Sequence, residues 1–374
     1  MIKSYLIIAL RNLFRHKLYS FINIAGLTVG LTCAIFVILF VRDQLSYDRW
    51  IPGTESLYRL EETATLPGKP PGFSARIPYA AAQAMLDQIP EVQARTRLIR
   101  KSATILLGNR QFPETVDAVD PNFLQVIRLP LLSGDPAAVF AKPESVVLTE
   151  TTARKYFGNA AAPGKTIVLS RQQCDANYEN CVMQQQAMTV TGVLRDLPHN
   201  TQLRADVIIP NTSAASPVTQ EMRENWGYTS GWGYVRLAPG ADPNMVLAKF
   251  KTVIDHSLNP MTMVNVKERG SDLMTARLVP FADAHLSTDR FGGMTPPGSW
   301  TIVYGFSAIG ALILLMGCFN FTNLATARAM TRAREIALRK VVGAKRIQLI
   351  IQFLGDALLT AGVALIFALA LTEV

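Results

Sequence analysis

The sequence predicts a membrane protein that combines α-helical transmembrane segments with a large α+β extracytoplasmic domain, inserted between the first and the second span. Of the 374 residues, 49% are hydrophobic and 17% are charged, whereas about a quarter of an average soluble domain is charged. Apolar stretches without charge occur near the N-terminus, late in the chain and at its end. Residues 42–298 have a mixed composition and are numerous enough to form a core of their own.

The first predicted span covers residues 21–41. No charged residue lies between Lys17 and Arg42. A helix over this range reaches about 30 Å, which is the thickness of a bilayer core. A cleaved signal peptide fits less well, because the apolar run is too long and no small-residue cleavage site follows it.

Two further apolar stretches predict a second span over 299–327 and a partial third span over 357–374. The second span lies in the charge-free run between Arg290 and Arg328. The third apolar run is short for a span and stops at Val374. We therefore expect the sequence to end inside its third helix.

The distribution of basic residues predicts which side of the membrane each segment faces. Residues 1–20 and 328–356 hold eleven of the 37 Lys and Arg residues but only two acidic ones, Glu335 and Asp356, and so account for a charge of +9. Cytoplasmic loops are enriched in Lys and Arg, so both segments are predicted to be cytoplasmic and residues 42–298 to lie outside. The basic balance then reflects topology, and nucleic acid is not an expected partner.

The predicted outer domain alternates strands and helices, in a spatial order that periodicity does not resolve. Apolar and β-branched runs indicate the strands, while capping residues such as Thr149 and Gly158 bound the helices. Asp242 followed by Pro243 is a typical helix start. The predicted strands cover 56–64, 145–148, 166–169, 188–194, 232–237 and 276–279, and the predicted helices cover 78–88, 149–156 and 242–256.

Cys174 and Cys181 flank a polar loop in the predicted outer domain. In an oxidising compartment this arrangement favours a local disulfide, which stabilises the fold by about 2 kcal/mol. Two free thiols are the alternative. A zinc site fits less well, because the nearest histidine, His199, lies outside the loop. Cys33 and Cys318 lie within predicted spans, where they are expected to be small packing residues.

No motif in the sequence predicts catalysis, a metal or a cofactor. The run 158–166 resembles a phosphate-binding loop but has five residues between its glycines instead of four. It also follows a predicted helix and precedes a predicted strand, which reverses the order that such a loop requires. Nucleophile-elbow, metalloprotease and paired-cysteine metal motifs are absent from the sequence. We therefore expect this chain not to be an enzyme.

The basic segment 328–356 is the most informative about function. Read as a helix, it places Ile336, Lys340 and Gly343 on one side, and Gly343 is placed to end the helix before another begins at Lys345. One interpretation is a positively charged loop that fixes topology and contacts anionic lipid. A docking element for a cytoplasmic partner also explains Glu335 and the glycine break, neither of which such a loop needs.

Several runs of this sequence resemble the MacB/FtsX-like ABC transporter permeases. Residues 334–346, followed by Gln352, are similar to the coupling segment of that family, and residues 9–26 are similar to its membrane-surface helix leading into the first span. Further similar runs are 120–123, 132–135, 145–150, 190–198 and 319–328. Together they extend over almost the whole chain.

The resemblance implies a permease half with a MacB-like periplasmic core domain and no cofactor of its own. ATP would be bound by a separate cytoplasmic ABC ATPase subunit, which docks at the coupling segment and moves the spans. The implied docking residues are Arg334, Glu335, Ile336, Arg339, Lys340, Gly343, Ala344 and Arg346. Residues 1–20 are implied to form an amphipathic helix on the cytoplasmic membrane surface.

The resemblance also implies further partners and a location. The partners are a second permease half or a second copy of this chain, the lipid bilayer, and a periplasmic adaptor protein. The location is the bacterial inner membrane, with several spans and a cytoplasmic N-terminus. Family members have more spans than the three found here, so a fourth is expected beyond this sequence.

Two other functions agree with parts of the sequence. A two-span sensor with an extracytoplasmic ligand-binding domain would continue after its second span into a signalling helix or domain, whereas this chain returns to the membrane. A membrane-anchored outer enzyme would need a catalytic motif. An ABC permease subunit for export, extraction or mechanotransmission is the favoured interpretation, and the sequence does not indicate its substrate.

Overall fold

The computed structural model describes residues 17–174, 181–227, 229–258, 267–287, 291–331, 337–338, 341–343 and 346–373. The chain forms two compact units. The first, called the helical unit, comprises residues 1–45 and 300–374, and the second, called the core domain, comprises Ser46–Ser299. The core domain corresponds to the α+β domain that the sequence predicts.

Helices make up the helical unit and cover parts of the core domain. They are α1 (Lys17–Ser46), α2 (Tyr79–Gln88), α3 (Phe123–Val126), α4 (Glu150–Phe157), α5 (Gln220–Glu224), α6 (Pro243–Ser257), α7 (Gly270–Leu273), α8 (Trp300–Thr331) and α9 (Arg346–Thr372). Short 3₁₀ helices cover Thr54–Ser56 and Phe281–Leu286.

The strands all belong to the core domain. They are β1 (Leu57–Ala64), β2 (Gly72–Ser74), β3 (Ile77–Pro78), β4 (Val92–Leu107), β5 (Arg110–Val119), β6 (Leu131–Ser133), β7 (Ser145–Thr149), β8 (Thr166–Cys174), β9 (Cys181–Leu194), β10 (Val207–Pro210), β11 (Thr229–Leu237) and β12 (Met274–Pro280).

Within the part of the chain that the structure describes, three helices are long and apolar enough to cross a membrane. They cover Ser20–Ser46, Trp300–Ala327 and Leu349–Thr372. The first two agree with the predicted spans apart from small shifts of their ends. The expectation of a short third segment is wrong, because its apolar part is 24 residues long. The helix begins well before residue 357 and continues through Asp356, which the sequence pattern places outside the span.

Small residues allow the membrane-length helices to pack closely. A Cβ atom added at Gly310 of α8 would lie 3.0 Å from the Val37 side chain of α1, and one added at Gly30 would lie 3.9 Å from the Gly317 Cα atom. Backbones that approach this closely are typical of helix pairs in membranes. The Thr28 hydroxyl of α1 also donates a hydrogen bond to the carbonyl oxygen of Ala364 in α9, at 3.3 Å. Both α8 and α9 therefore contact α1.

Six strands of the core domain pair into a closed ring, called the barrel below. In the ring, β4 pairs with β5, β5 with β10, β10 with β7, β7 with β9 and β9 with β8. Strand β8 also pairs with the second half of β4, at Thr104–Leu106, which closes the ring. The β5–β10 and β7–β9 pairs are parallel and the others are antiparallel.

The first half of β4 belongs to an open antiparallel sheet in the order β12, β1, β11, β4. Trp232–Leu237 of β11 pairs with Val92–Leu98 of β4. Because β4 runs through both assemblies, it joins the open sheet to the barrel. The core domain therefore has two lobes that share one long strand.

Each lobe has its own apolar core. The barrel interior holds side chains that alternate along its strands, including Ile105, Val116, Val146, Ile167, Val190 and Val207. On the open sheet, Leu60 and Val235 pack under Met85 of α2 and Phe250 of α6. A third cluster, which includes Leu57, Phe123, Tyr234 and Phe281, packs against strand ends from both lobes.

The predicted strands and helices of the core domain are confirmed, and most are longer than expected. The loop reading of 158–166 is also confirmed, since α4 ends before Gly158, β8 begins at Thr166, and Gly158 and Gly164 have φ angles of 64° and 84°. Strands β4, β5 and β10 escaped the sequence pattern. Strand β4 carries charged residues on alternate positions, such as Arg95 and Arg97, so it reads as polar although these side chains are largely buried.

Candidate functional site

The candidate functional site is the segment between α8 and α9. Its described residues are 337–338, 341–343 and those from Arg346 onward. The Val342 N–H donates to the Leu338 carbonyl oxygen at 3.1 Å, which is the i to i−4 bond of a helical turn. A turn of helix therefore immediately precedes Gly343.

Gly343 has a φ angle of 92°, in the left-handed region that glycine adopts without a steric penalty. A Cβ atom added there would meet nothing within 4 Å, so the backbone conformation is the reason for glycine at this position. A left-handed glycine is a frequent helix terminator. The backbone thus has the glycine break that the sequence predicts, while the role of Gly343 in docking stays a prediction.

Three apolar side chains of this segment are strongly exposed. The exposed fractions are 62% for Leu338, 86% for Val341 and 85% for Val342. The spacing of three and four residues places them on one face of the helical turn. We call these three residues the apolar cluster. Its exposure beside basic residues indicates a surface that another molecule can cover.

The other predicted docking residues are only partly within the described chain. Arg346 is exposed and begins α9. Six residues lie outside the described residues: Arg334, Glu335, Ile336, Arg339, Lys340 and Ala344. The sequence reasoning stressed the charged residues and Ile336, and it missed the apolar cluster. The signal was present, because Leu338, Val341 and Val342 have helical spacing between basic residues.

The core domain contains a buried charged cluster where its two lobes meet. The Arg97 guanidinium, on β4, makes two hydrogen bonds of 2.9 Å to the carboxylate of Asp120, which follows β5. Arg95 and the Asn211 side-chain amide also donate to this carboxylate. The Tyr79 hydroxyl lies 3.3 Å from it, and Arg97 donates to the Tyr79 carbonyl oxygen at 3.1 Å. The Asp120 cluster thereby joins α2 of the open sheet to two barrel strand ends.

The charges in the Asp120 cluster compensate one another. Burial alone would raise the pKa of Asp120, but the hydrogen bonds and positive charges of Arg97 and Arg95 outweigh it, so the pKa lies below its ordinary value. Burial and the negative charge of Asp120 raise the pKa of Tyr79 to about 12, so its hydroxyl stays protonated. The cluster is therefore an ionised carboxylate held by cations, which is suited to fixing geometry rather than to moving protons.

A second buried pair lies on the outer face of the barrel. The Arg100 guanidinium binds the Asp117 carboxylate through two hydrogen bonds of 2.7 and 2.8 Å. Burial raises the pKa of Asp117 to about 7, although the charge and hydrogen bonds of Arg100 lower it. Arg100 and Asp117 are register partners on β4 and β5. Their contact therefore reinforces the strand pairing.

The predicted cysteine pair lies at the end of the β8–β9 hairpin. The register places Cys174 opposite Cys181, and Cys181 is disulfide-bonded. Cys33 and Cys318 are free thiols in the helical unit. The bond between Cys174 and Cys181 stays a prediction for chemical analysis. Among the residues that the structure describes, no group of three or more His, Cys, Asp or Glu side chains is placed to hold a metal ion.

Comparison with known protein families gives two matches. Residues 20–253 match the family described as MacB-like periplasmic core domain. Residues 307–374 match the family described as FtsX-like permease C-terminal. The first match covers the first predicted span and most of the core domain, and the second covers α9 with most of α8.

Two curated relatives carry the description macrolide export ATP-binding/permease protein MacB. The protein from Shewanella sp. (strain ANA-3) is 26% identical over 374 residues, covering 97% of this chain and 51% of the relative. The protein from Rhodopseudomonas palustris (strain HaA2) is 23% identical over 384 residues, covering 97% of this chain and 52% of the relative. This chain thus spans about half the length of the curated relatives it matches.

A solved structure shares the fold of the core domain. It is a domain of a permease protein from Porphyromonas gingivalis, with a TM-score of 0.50 and 22% sequence identity. The match covers 63% of this chain and 93% of that domain.

Proposed function

This chain belongs to the MacB/FtsX-like ABC transporter permease family, and on that premise we propose that it is the permease subunit of a transporter driven by a separate ATPase. The ATPase binds ATP and docks at the segment between α8 and α9. The resulting movement passes through the membrane-length helices to the core domain. It serves export, extraction of a molecule or mechanical signalling.

The observation that carries this proposal is the exposed apolar cluster. Leu338, Val341 and Val342 lie in a segment whose basic residues predict a cytoplasmic location. Apolar side chains exposed to this degree are costly in water and favour burial against a partner. Lipid contact alone would be satisfied by the basic residues, whereas a protein partner accounts for the apolar face as well.

The packing of the helical unit provides a route from this segment to α1. Helix α9 begins at Arg346, directly after the segment, and Leu349 in its first turn is buried. Further along, the carbonyl oxygen of Ala364 accepts the hydrogen bond from Thr28 of α1. A displacement of the docking segment would therefore be felt by α9 and then by α1.

The remaining partners and the topology belong to the same proposal. The bilayer surrounds the apolar helices, a second permease half or second copy completes the transporter, and a periplasmic adaptor contacts the core domain. The N-terminus lies in the cytoplasm and the core domain outside a bacterial inner membrane. The charge distribution supports this orientation, since residues 1–20 and 328–356 carry the basic excess.

Site-specific photo-crosslinking in native membranes tests the docking role. A photoreactive amino acid at Val341 should give a covalent adduct with a nucleotide-binding subunit, identified by mass spectrometry. The matched control places the same group at Val182, which is 64% exposed in the core domain and should not give this adduct. Adducts of Val341 with lipid alone, or the same ATPase adduct at both positions, would contradict the proposal.

Thiol labelling tests the topology independently. Cysteines at Val341 and at Lys142, in the loop before β7, are treated with a membrane-impermeant maleimide in spheroplasts. We expect Lys142→Cys to react from outside and Val341→Cys to react only after permeabilisation. The reverse pattern would refute the orientation, and with it the cytoplasmic docking site.

A further inference from the structure

A buried polar cluster joins the stretches of the core domain that connect it to the membrane-length helices. The first connector is residues 46–51, which begin at the end of α1. The second connector comprises the described residues 281–287 and 291–299, which lead to Trp300 at the start of α8. We call the cluster between them the connector junction. Its members are Ser46, Tyr47, Asp48, Arg59, Asn200, Thr201, Gln202, Phe281, Ala284 and His285.

Asp48 lies at the centre of the connector junction. It is fully buried, and its φ angle of 58° is the one positive value among the non-glycine residues that the structure describes. Its carboxylate accepts the Thr201 hydroxyl at 2.5 Å and the Gln202 N–H at 3.2 Å. Its own N–H donates to the Asn200 carbonyl oxygen at 3.0 Å. A left-handed, buried aspartate persists where its surroundings hold it in place.

Asn200 binds the end of α1 directly. Its side-chain amide donates to the Ser46 hydroxyl at 2.9 Å and to the Ser46 carbonyl oxygen at 3.3 Å. Ser46 is the last residue of α1, and carbonyl groups at a helix end need a partner outside the helix. The loop 200–202 thus binds both the end of the helix and the residue that follows Tyr47.

Gln202 extends the connector junction to the second connector. Its amide nitrogen donates to the Phe281 carbonyl oxygen at 3.0 Å, and its amide oxygen accepts from Arg59 at 2.8 Å. Arg59 in turn donates to the Ala284 carbonyl oxygen at 3.1 Å. The two connectors also touch directly, because the rings of Tyr47 and His285 stack with their centroids 3.4 Å apart.

The loop 200–202 belongs to the barrel, which is otherwise remote from the connectors in sequence. It joins β9 to β10, both of which are strands of the ring. The open sheet, in contrast, is covalently continuous with both connectors, since β1 follows the first and β12 precedes the second. The barrel reaches the first connector through the hydrogen bonds of this loop.

We propose that Asn200, Thr201 and Gln202 are positioning residues that transmit displacements of α1 to the barrel. The inference rests on the proposed function, which supplies the displacement. When α1 moves, the buried carboxylate of Asp48 carries the loop with it, because each hydrogen bond of that carboxylate ends on the loop. The barrel then follows the connectors, where it would otherwise be displaced only by way of the open sheet.

Conservative variants at Thr201 separate the hydroxyl from the packing. Thr201→Val keeps the shape and removes the donor, whereas Thr201→Ser keeps the donor. The control is Thr151→Val, which removes a hydroxyl that donates to Asp196 at an exposed site, at 2.6 Å. All variants are made in the full chain, which is copurified with its ATPase and placed in nanodiscs.

Hydrogen exchange read by mass spectrometry first measures the connector junction without nucleotide. Thr201→Val should accelerate exchange of the amides of residues 46–51 and 200–204 roughly tenfold to a hundredfold, as expected for a lost hydrogen bond to a charged group. Thr201→Ser should restore the slow exchange, and Thr151→Val should leave both segments unchanged.

The decisive measurement compares lobes with and without the non-hydrolysable nucleotide AMP-PNP. The wild type should show a nucleotide-dependent change in exchange in both lobes, and Thr201→Val should lose it in barrel strands β7 and β10 while β1 and β12 keep it. A retained barrel response in Thr201→Val would overturn the inference and leave the proposed function intact. A wild type without any response would overturn both.

Discussion

Replacing Asp120 by asparagine should destabilise the core domain by about 3–5 kcal/mol. The substitution keeps the shape of the side chain, so the loss would not come from a cavity. It removes the negative charge that faces Arg97 and Arg95, whose side chains are only 8% and 16% exposed. Removing one partner of a buried ion pair leaves an uncompensated buried charge, which accounts for an effect of this size.

The effect of Asp120→Asn can be measured as a shift in the melting temperature of the full chain in detergent. For a domain of this size, 3–5 kcal/mol corresponds to a decrease of roughly 6–20 °C. Asp135→Asn is a suitable control, because Asp135 is exposed and accepts a hydrogen bond from the Ala137 N–H at 3.0 Å, which an asparagine oxygen can also accept. The control should shift the melting temperature by less than about 2 °C.

A double-mutant cycle separates the ion pair from other effects of Asp120→Asn. Arg97→Gln removes the positive partner, so the double variant should be more stable than the sum of the two losses predicts, by about 0.5–3 kcal/mol. Strictly additive losses, or an Asp120→Asn protein that melts together with the Asp135→Asn control, would refute the role of the Asp120 cluster in holding the lobes together.

Three further predictions concern other parts of the core domain. Burial raises the pKa of Asp48 to about 6 from an ordinary value of 3.8, so stability should fall as the pH rises between these values, and Asp48→Asn should remove this fall in melts at pH 4–7. Cys181→Ser should lower the free energy of unfolding by about 2 kcal/mol in oxidising buffer alone, and non-reducing peptide mapping of the wild type should recover a Cys174–Cys181 peptide. Gly231→Ala would place a Cβ atom 2.6 Å from the Leu98 carbonyl oxygen and should cost about 2 kcal/mol or more in melts, whereas Gly305→Ala, which meets nothing within 4 Å, should be neutral.

The sequence is sufficient to predict those parts of the fold that depend on local patterns. Spans follow from long apolar runs, and the helix start at Asp242 follows from a cap, since its side chain accepts the Asn244 N–H at 2.9 Å. Thr149 was also expected to cap a helix, but its hydroxyl instead bonds the Thr152 hydroxyl at 2.9 Å. The helix begins at the predicted place because its neighbours, rather than this hydroxyl, satisfy its first turn.

The barrel could not be predicted in this way, because it closes through pairings between distant strands. Strand β4 contains alternating arginines that find partners in residues as far away as Asp117 and Asp120. A sequence reader sees only the charges and assigns a polar loop. The same reason hides the connector junction, since Asp48 and Thr201 are 153 residues apart and share no motif.

Helix α1 is the element on which the proposed docking site and the connector junction both depend. It is one unbroken helix from Lys17 to Ser46, without proline, so it can transmit a displacement along its length. Near its middle Thr28 receives the contact with α9, and at its end Ser46 is held by Asn200. A chain designed only to anchor an outer domain would need neither a buried carboxylate after the helix nor a left-handed aspartate. Their presence argues that the position of the barrel relative to the end of α1 is what this fold controls.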